Sequence, residues 1–219
     1  MSSRSERRGP KGNLRVHRMA RPNSGFGTAS PSRRAVLAGL LALTTGASGR
    51  SVSAESDPWA TLRRRGSFAL IRHATAPGTN DPPGFRLDDC AAQRNLSAEG
   101  RAQSVRIGDL FRANGIATAE VYSSQWCRCL DTASLMKLGE VRPQPLLNSF
   151  FQDRSRETAQ IEALRQWIGQ VDLTGPTVFV THQIVVTALS QVFPGSGEIV
   201  AMQRGADGRL SAQGRLPTA

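Results

Sequence analysis

The chain has 219 residues, and its 28 lysines and arginines outnumber its 17 aspartates and glutamates, which gives a formal net charge of +11. Ten of the basic residues and one acidic residue lie in residues 1–54, so residues 55–219 carry a net charge of +2. The excess positive charge therefore lies almost entirely in residues 1–54. The remaining domain is not strongly basic, so its charge gives no argument for a nucleic acid partner. Residues 55–219 are enough for one domain with a substantial core.

The N-terminal segment has the pattern of a twin-arginine signal peptide. SRRAVL at 32–37 precedes an apolar run over 35–46, and the small-x-small sequence VSA at 52–54 predicts cleavage after Ala54. The apolar run is shorter than the ~20 residues that span a bilayer, so we expect no stable membrane span in the mature form. An uncleaved membrane anchor is the alternative. We expect the twin-arginine machinery to export the protein to a periplasmic or secreted location.

The mature chain is expected to open with a leader over residues 55–66. An apolar strand, 68–71, then ends directly on Arg72 and His73. A loop of 19 residues follows at 76–94 and contains several Pro and Gly turn signals. Loops of this length in compact domains commonly form lids or site walls, and this one begins beside His73.

Helices and strands alternate through the rest of a domain that we expect to span residues 67–219. Ser97 is the predicted N-cap of the first of these helices, and Val105, Ile107, Leu110 and Phe111 are expected to form its apolar face. This alternation predicts an α/β fold with a mostly parallel sheet and helices on both faces. The predicted elements are helices at 97–114, 124–137, 158–171 and 185–192, strands at 119–123, 141–145 and 177–181, and a terminal hairpin of strands 199–203 and 209–212.

The chain has three cysteines, Cys90, Cys127 and Cys129. An exported protein enters an oxidising compartment, where disulfides persist. Cys127 and Cys129 are two residues apart on a predicted helix and point to different sides, so they should not pair with each other. Two possibilities remain: Cys90 pairs with one of them, or all three are free packing residues. The spacing of Cys and His does not suggest a metal site, and we expect no metal or other cofactor.

Polar and basic side chains follow three of the predicted strands. In sheets of this kind, binding sites lie beyond the carboxyl ends of the strands. His73 and His182 are the only two histidines in residues 55–219. The groups that fall at this edge are Arg72 and His73 after the first strand, Ser123, Ser124 and Arg128 after the second, and His182 after the strand at 177–181.

These residue types suit phosphoryl transfer. The reacting group spreads negative charge over its oxygens, so catalysis depends mainly on positioning and on fixed positive charge. Arginine stays charged and can bind two oxygens at once, and Arg128 opens a predicted helix whose free N–H groups also favour an anion. A neutral histidine such as His73 can attack phosphorus and form a phosphohistidine that water later cleaves.

Four segments occur in a fixed order along the chain: LIRHA at 70–74, RNLSAEG at 94–100, VYSSQWCRCLDTA at 121–133 and VFVTH at 178–182. Together they resemble the histidine phosphatase superfamily, the phosphoglycerate-mutase-like group, in a small exported branch. The resemblance covers about residues 67–203. It implies a three-layer α/β/α fold, with His73 as the phosphorylated nucleophile and with Arg72, Arg128 and His182 completing the phosphate pocket.

Two positions depart from the pattern of that family. Ala74 stands where the first motif usually has glycine, and Gln183 follows the second histidine where glycine is usual. Gln183 would change the pocket wall and is a candidate for substrate binding. Arg94 is a further candidate, which would contact the phosphate or order the long loop; the alternative is a solvent-exposed side chain beside the cap at Ser97.

The family often supplies a proton donor from an insert between the second arginine and the second histidine. Asp153 is our candidate because it lies beside Phe150 and Phe151, which would partly desolvate the carboxyl group and help it to keep a proton. The alternative is an exposed loop acid. Asp131 is expected to face solvent or a neighbouring basic group.

The sequence thus predicts a phosphomonoester hydrolase that acts through phosphohistidine on His73, with a phosphorylated small molecule or a phosphoprotein as substrate. A phosphohistidine-protein phosphatase and an envelope sugar-phosphate phosphatase both stay open. The alternative from another class is a phospho-ligand binding or signalling module without turnover. A mutase is disfavoured, because the segment from Arg128 to His182 is short and mutase substrates are cytoplasmic.

Overall fold

The computed structural model describes residues 57–218. The predicted signal segment and its predicted cleavage site therefore lie outside the described residues. None of the helices within residues 57–218 has the length and apolar character needed to cross a membrane. The helices are α1 Pro58–Leu62, α2 Ala98–Ala113, α3 Cys127–Met136, α4 Glu157–Gln170 and α5 Gln183–Ser190, and the strands are β1 Ser67–Arg72, β2 Glu120–Ser123, β3 Val141–Pro143, β4 Thr177–Thr181, β5 Ile199–Arg204 and β6 Leu210–Leu216.

The six strands form one sheet in the order β3-β2-β4-β1-β5-β6. β1 pairs in parallel with β4, β4 with β2, and β2 with β3. β5 runs antiparallel to β1, and β6 returns antiparallel to β5 as the predicted terminal hairpin. The α/β fold with a mostly parallel sheet is therefore confirmed.

Alternate residues of β1 pack into two separate cores. Ala69 and Ile71 belong to a core shared with α2 and α3, whereas Phe68 and Leu70 belong to one shared with α4 and α5. Successive side chains of a strand point to opposite faces, so an apolar strand such as β1 can fill both cores at once. This arrangement gives the three-layer α/β/α sandwich that the family resemblance implied.

The packed face of α2 differs from the predicted one. Ile107 and Phe111 are buried as expected, but Val105 and Leu110 are 40% and 36% exposed. The face also contains the small residues Gly100, Ser104 and Gly108, and a Cβ added at Gly108 would lie 2.0 Å from the Met136 carbonyl oxygen. Close contact of the helix backbone with α3, rather than bulk apolar packing, therefore sets which face turns inward.

Part of the expected leader, 55–66, belongs to the folded domain. Helix α1 buries Thr61 and Leu62, and Trp59 packs edge-on against Phe111 with ring centroids 5.2 Å apart. α1 also contacts β1, β5 and β6. The segment expected to be a leader therefore includes a helix packed on the domain, and the burial of this helix depends on partners that are distant in sequence.

One disulfide joins the long loop to α3. Cys90, near the end of the loop, is bonded to Cys127, the first residue of the helix. Cys129 is a free, buried thiol. Of the possibilities left open by the sequence, the structure therefore shows the pairing of Cys90 with Cys127.

Candidate active site

The carboxyl ends of the neighbouring strands β1, β4 and β2 bring the predicted groups together. Arg72 is in register with Thr181, and the backbone N–H of His73 donates to the Thr181 carbonyl oxygen at 2.8 Å. On the other side of β4, the Ser124 N–H donates to the Val180 carbonyl oxygen at 2.9 Å. These bonds continue the sheet for one residue and fix where the following side chains begin.

A cavity of about 350 Å³ opens at this edge. All seven site residues named from the sequence line it: Arg72, His73, Arg94, Arg128, Asp153, His182 and Gln183. The long loop adds Asp81 and Phe85, and Trp126 and Phe151 complete much of the wall. The edge predicted from the carboxyl ends of the strands is therefore a concave site with several arginines, suited to an anionic ligand.

His73 is held as a neutral imidazole. The residue is 2% exposed, and Nδ1 lies 2.7 Å from the carbonyl oxygen of Ala74. Because that oxygen only accepts, Nδ1 carries the proton and Nε2 keeps its lone pair. Burial, followed by the charge of Arg128, lowers the pKa of His73 to about 3. The side chain therefore has the protonation state of a nucleophile.

His182 is fixed by bonds at both ring nitrogens. Nε2 lies 2.8 Å from Ser124 Oγ, and Nδ1 lies 3.5 Å from Nη2 of Arg128. A guanidinium only donates, so Nδ1 accepts and Nε2 donates to Ser124. Burial and the charge of Arg128 lower the pKa of His182 well below its usual value. The rings of His73 and His182 are 5.6 Å apart, which places both beside one ligand position.

Ser124 lies at the strand end that was predicted to face the site, but no role was predicted for it. Besides its contact with His182, its hydroxyl donates to Asn148 Oδ1 at 3.1 Å. The Ser124 hydroxyl thus links the buried side chain of Asn148 to the ring of His182 and helps to fix the orientation of that ring. A serine at a strand end is too common a feature to indicate this role from the sequence.

The arginines surround the cavity with buried donors. Arg72 Nη1 donates to the carbonyl oxygen of Pro194 at 3.0 Å, and Arg94 Nη1 donates to that of Ala76 at 2.5 Å. Within residues 57–218, the Nε–H groups of Arg72, Arg94 and Arg128 are buried without a hydrogen-bond partner. Buried donors are rarely left unpaired, so three of them around one cavity point to an anionic ligand.

Arg94 is not the solvent-exposed side chain that was the alternative. It is half-buried, and burial together with the charge of Arg128 lowers the pKa of its guanidinium. Its bond to Ala76 ties the end of the long loop to its beginning. The structure therefore puts Arg94 both at the cavity and in a position to order the loop.

Asp81 is the site residue that sequence reasoning missed. Its carboxylate binds Arg128 through two hydrogen bonds, Nη1 to Oδ1 at 2.7 Å and Nη2 to Oδ2 at 3.1 Å. It also accepts from Trp126 Nε1 at 3.1 Å and from the Arg94 backbone N–H at 3.0 Å. Burial opposes ionisation, but the hydrogen bonds and charge of Arg128 outweigh it and hold the pKa of Asp81 below its usual range.

Asp153 lines the cavity, but not in the environment that was expected. Its side chain is exposed and accepts from Ser155, whose backbone N–H lies 3.2 Å from Oδ1. Phe150 turns away into the core, and Phe151 is 55% exposed. The expected desolvation by these two rings was therefore wrong, and Asp153 is an acid at the open side of the cavity.

The remaining candidates fall as follows. Gln183 is the first residue of α5, lines the cavity, and donates from Nε2 to Thr187 Oγ1 at 3.2 Å. Asp131 pairs with Arg101 at 2.6 Å, the neighbouring basic group that was expected for it. In the described part of the chain, no cluster of three or more His, Cys, Asp or Glu side chains is placed to hold a metal ion.

Comparison with known proteins gives matches among solved structures alone. No family model matches the chain, and no curated protein matches it. The protein histidine phosphatase SixA in complex with tungstate aligns with a TM-score of 0.50 at 15% identity, over 69% of this chain and 97% of that one.

Two further structures align in the same way. A mycobacterial glucosyl-3-phosphoglycerate phosphatase has a TM-score of 0.50 at 15% identity, over 68% of this chain and 97% of its own. A phosphoserine phosphatase from Entamoeba histolytica has a TM-score of 0.50 at 14% identity, over 69% and 97%. The fold of this chain is therefore that of the histidine phosphatases, the phosphoglycerate-mutase-like fold.

Proposed function

We propose that this protein is a phosphomonoester hydrolase that works through a phosphohistidine intermediate on His73. The observation that carries the proposal is the state of that residue: a neutral imidazole whose Nδ1 is bonded to Ala74, at a cavity whose lining includes Arg72, Arg94 and Arg128. A hydrolase of this kind needs an unprotonated ring nitrogen and fixed cations around the transferring group. The fold shared with histidine phosphatases supports the same conclusion.

The proposed reaction has two steps. In the first, the Nε2 lone pair of His73 forms a bond to phosphorus while the bond from phosphorus to the leaving oxygen breaks, and that oxygen takes up a proton. In the second, water attacks phosphorus, the N–P bond breaks, and inorganic phosphate leaves with the imidazole neutral again. Arg72, Arg94 and Arg128 offset the charge on the equatorial oxygens in both steps.

Asp153 is the proposed proton donor to the leaving oxygen. It lines the cavity on its exposed side, where the remainder of a substrate would extend. An acid there would pass its proton in the first step and accept one from water in the second. Because the carboxyl group is exposed, we expect it to matter most for substrates whose leaving oxygen is strongly basic.

The proposed substrates are phosphorylated small molecules or phosphorylated protein side chains. The cavity of about 350 Å³ is at the small end for ligand sites, which suits a phosphoryl group with a short attached portion. Phe85 and Phe151 supply apolar surface beside the arginines. A panel of sugar phosphates, phosphoamino acids and a phosphohistidine peptide would rank these classes by kcat/KM.

We also propose that the protein acts outside the cytoplasm. The twin-arginine pattern at 32–37 supports export, and the bond between Cys90 and Cys127 suits an oxidising compartment. A reporter fused to residues 1–58 should be exported, and it should stay in the cytoplasm when Arg33 and Arg34 are replaced by lysine. Equal export of both fusions would contradict the assignment.

Hydrolysis of p-nitrophenyl phosphate by the full chain tests the enzymatic function. We expect His73→Ala to reduce the rate by about 10³-fold or more, as for removal of a nucleophile. His17, outside the described residues, offers the matched control His17→Ala, which should keep the wild-type rate. Saturable phosphate binding without turnover by the wild type would instead indicate a binding module.

A further inference from the structure

The guanidinium of Arg128 is almost fully occupied by protein groups. Nη1 donates to Asp81 Oδ1 at 2.7 Å and to the Arg94 carbonyl oxygen at 3.3 Å. Nη2 donates to Asp81 Oδ2 at 3.1 Å and faces His182 Nδ1 at 3.5 Å. Four of its five N–H groups are thus engaged. The bidentate edge formed by Nη1 and Nη2, which could bind two phosphoryl oxygens, is bonded to the Asp81 carboxylate.

The ion pair is a buried part of the cavity rather than a surface contact. The side chains of Arg128 and Asp81 are 4% and 7% exposed. Trp126 Nε1 and the Arg94 backbone N–H donate to the same carboxylate, so Asp81 accepts four hydrogen bonds in all. Such a set keeps the carboxylate charged and in one position.

A phosphoryl group and Asp81 compete for the same donors. A dianion brought next to an ionised carboxylate is repelled by it, and both cannot occupy one edge of Arg128. The Arg94 backbone N–H also donates to Asp81, at 3.0 Å, so the carboxylate has a second partner in the site when it leaves the arginine.

We propose that Asp81 is a positioning residue that holds Arg128 between turnovers and gives the arginine up to the phosphoryl oxygens of the substrate. The proposal rests on the proposed function for the identity of the incoming anion. Asp81 then has two effects: it keeps a buried arginine oriented, and it weakens the hold of the pocket on phosphate. The second effect favours release of the inorganic phosphate product.

The first test measures the affinity of the full chain for inorganic phosphate by isothermal titration calorimetry. We expect Asp81→Asn to bind phosphate about tenfold more tightly, because a competing charge is removed while a hydrogen-bonding side chain remains. Asp88→Asn is the matched control, since Asp88 lies on the same loop but is 73% exposed and pairs with Arg86. It should bind like the wild type. Equal or weaker binding by Asp81→Asn would overturn the proposal.

A second measurement uses the wild-type side chains and does not depend on the folding of Asp81→Asn. The indole N–H of Trp126 donates to Asp81, so displacement of the carboxylate should shift its NMR resonance when phosphate saturates the protein. The resonances of Trp59 and Trp167 should stay in place. Trp126→Phe assigns the signal, and a Trp126 resonance unmoved by saturating phosphate would contradict the exchange.

The outcomes separate this proposal from the function on which it rests. Phosphohistidine formation by the wild type, together with unchanged phosphate affinity in Asp81→Asn, would reject the role of Asp81 alone. Tighter binding by Asp81→Asn without any phosphoenzyme would reject the hydrolase alone. Phosphate binding by neither protein would contradict both.

Discussion

The imidazole of His73 stays neutral because burial and the charge of Arg128 both oppose its protonation. The bond from Nδ1 to Ala74 sets the tautomer, and the ring therefore presents Nε2 as a lone pair at any pH well above 3. His182 is held in a second tautomer by Ser124 and Arg128. The chemistry of the site thus depends on which ring nitrogen is bonded, as much as on the presence of the two histidines.

Asp153→Asn tests the proposed proton donor. We expect kcat for an alkyl phosphate to fall by about 10²-fold, because the leaving alkoxide needs a proton, and kcat for p-nitrophenyl phosphate to fall far less. Steady-state kinetics on both substrates measure the difference. Asp131→Asn is the control, since Asp131 pairs with Arg101 outside the cavity. An equal fall on both substrates would contradict proton donation by Asp153.

The site residues differ in how far the sequence could predict them. His73, Arg72 and His182 follow apolar strands, and a strand end in a parallel sheet has a known position, so their convergence could be predicted. Asp81 lies in a loop of 19 residues, and its contact with Arg128 depends on the path of that loop. Spacing along the chain does not determine such a path, and the predicted function of the loop was the only indication.

At the scale of elements, close backbone approach positions the segment that follows His73. α2 begins against this segment: the backbone N–H of its cap, Ser97, donates to the Thr75 carbonyl oxygen at 3.1 Å. A Cβ added at Gly100 would lie 2.0 Å from that same oxygen. The glycine of the second motif is therefore required by packing, which places the helix directly on the turn beside His73.

The disulfide joins the long loop to α3 and should contribute much of the domain's stability. Replacing Cys90 and Cys127 together by serine removes a crosslink between residues 37 apart in sequence. We expect the free energy of unfolding to fall by about 3–4 kcal/mol from the loss of loop closure. Urea unfolding measures the change. A reductant should destabilise the wild type but not the double variant. Equal stability of the wild type and the double variant without reductant would contradict the disulfide bond.

Local pattern predicted the long elements better than the short ones. β4 has the predicted bounds because a run of apolar and β-branched residues, 177–181, is enclosed by Pro176 and His182. α1 has five residues, too few to show a helical period, and it is stabilised by contact with Phe111. The buried face of α2 was partly mispredicted because small residues, rather than large ones, mark its contact with α3.

For the molecule as a whole, two buried neutral histidines make stability depend on pH. Both have pKa values lowered in the folded state, whereas an unfolded histidine titrates near 6.5. Below pH 6.5 the unfolded chain therefore binds protons that the folded chain does not, so stability falls as the pH falls. Each histidine contributes about 1.4 kcal/mol per pH unit between the two pKa values.

His73→Gln tests this dependence. Urea unfolding between pH 7.5 and 5 measures how the free energy of unfolding changes with pH. For His73→Gln this change should correspond to about one bound proton fewer than for the wild type. A wild-type slope retained by His73→Gln would show that His73 is protonated in the folded state near its ordinary pKa.

The proposed mechanism requires His73 to carry the phosphoryl group. The full chain is mixed with a ³²P-labelled phosphomonoester, quenched in alkali, where phosphohistidine survives, and the labelled peptide is identified by mass spectrometry. We expect label on His73 in the wild type and in His17→Ala, and none in His73→Ala. Label on another residue, or undiminished labelling and hydrolysis in His73→Ala, would contradict that mechanism.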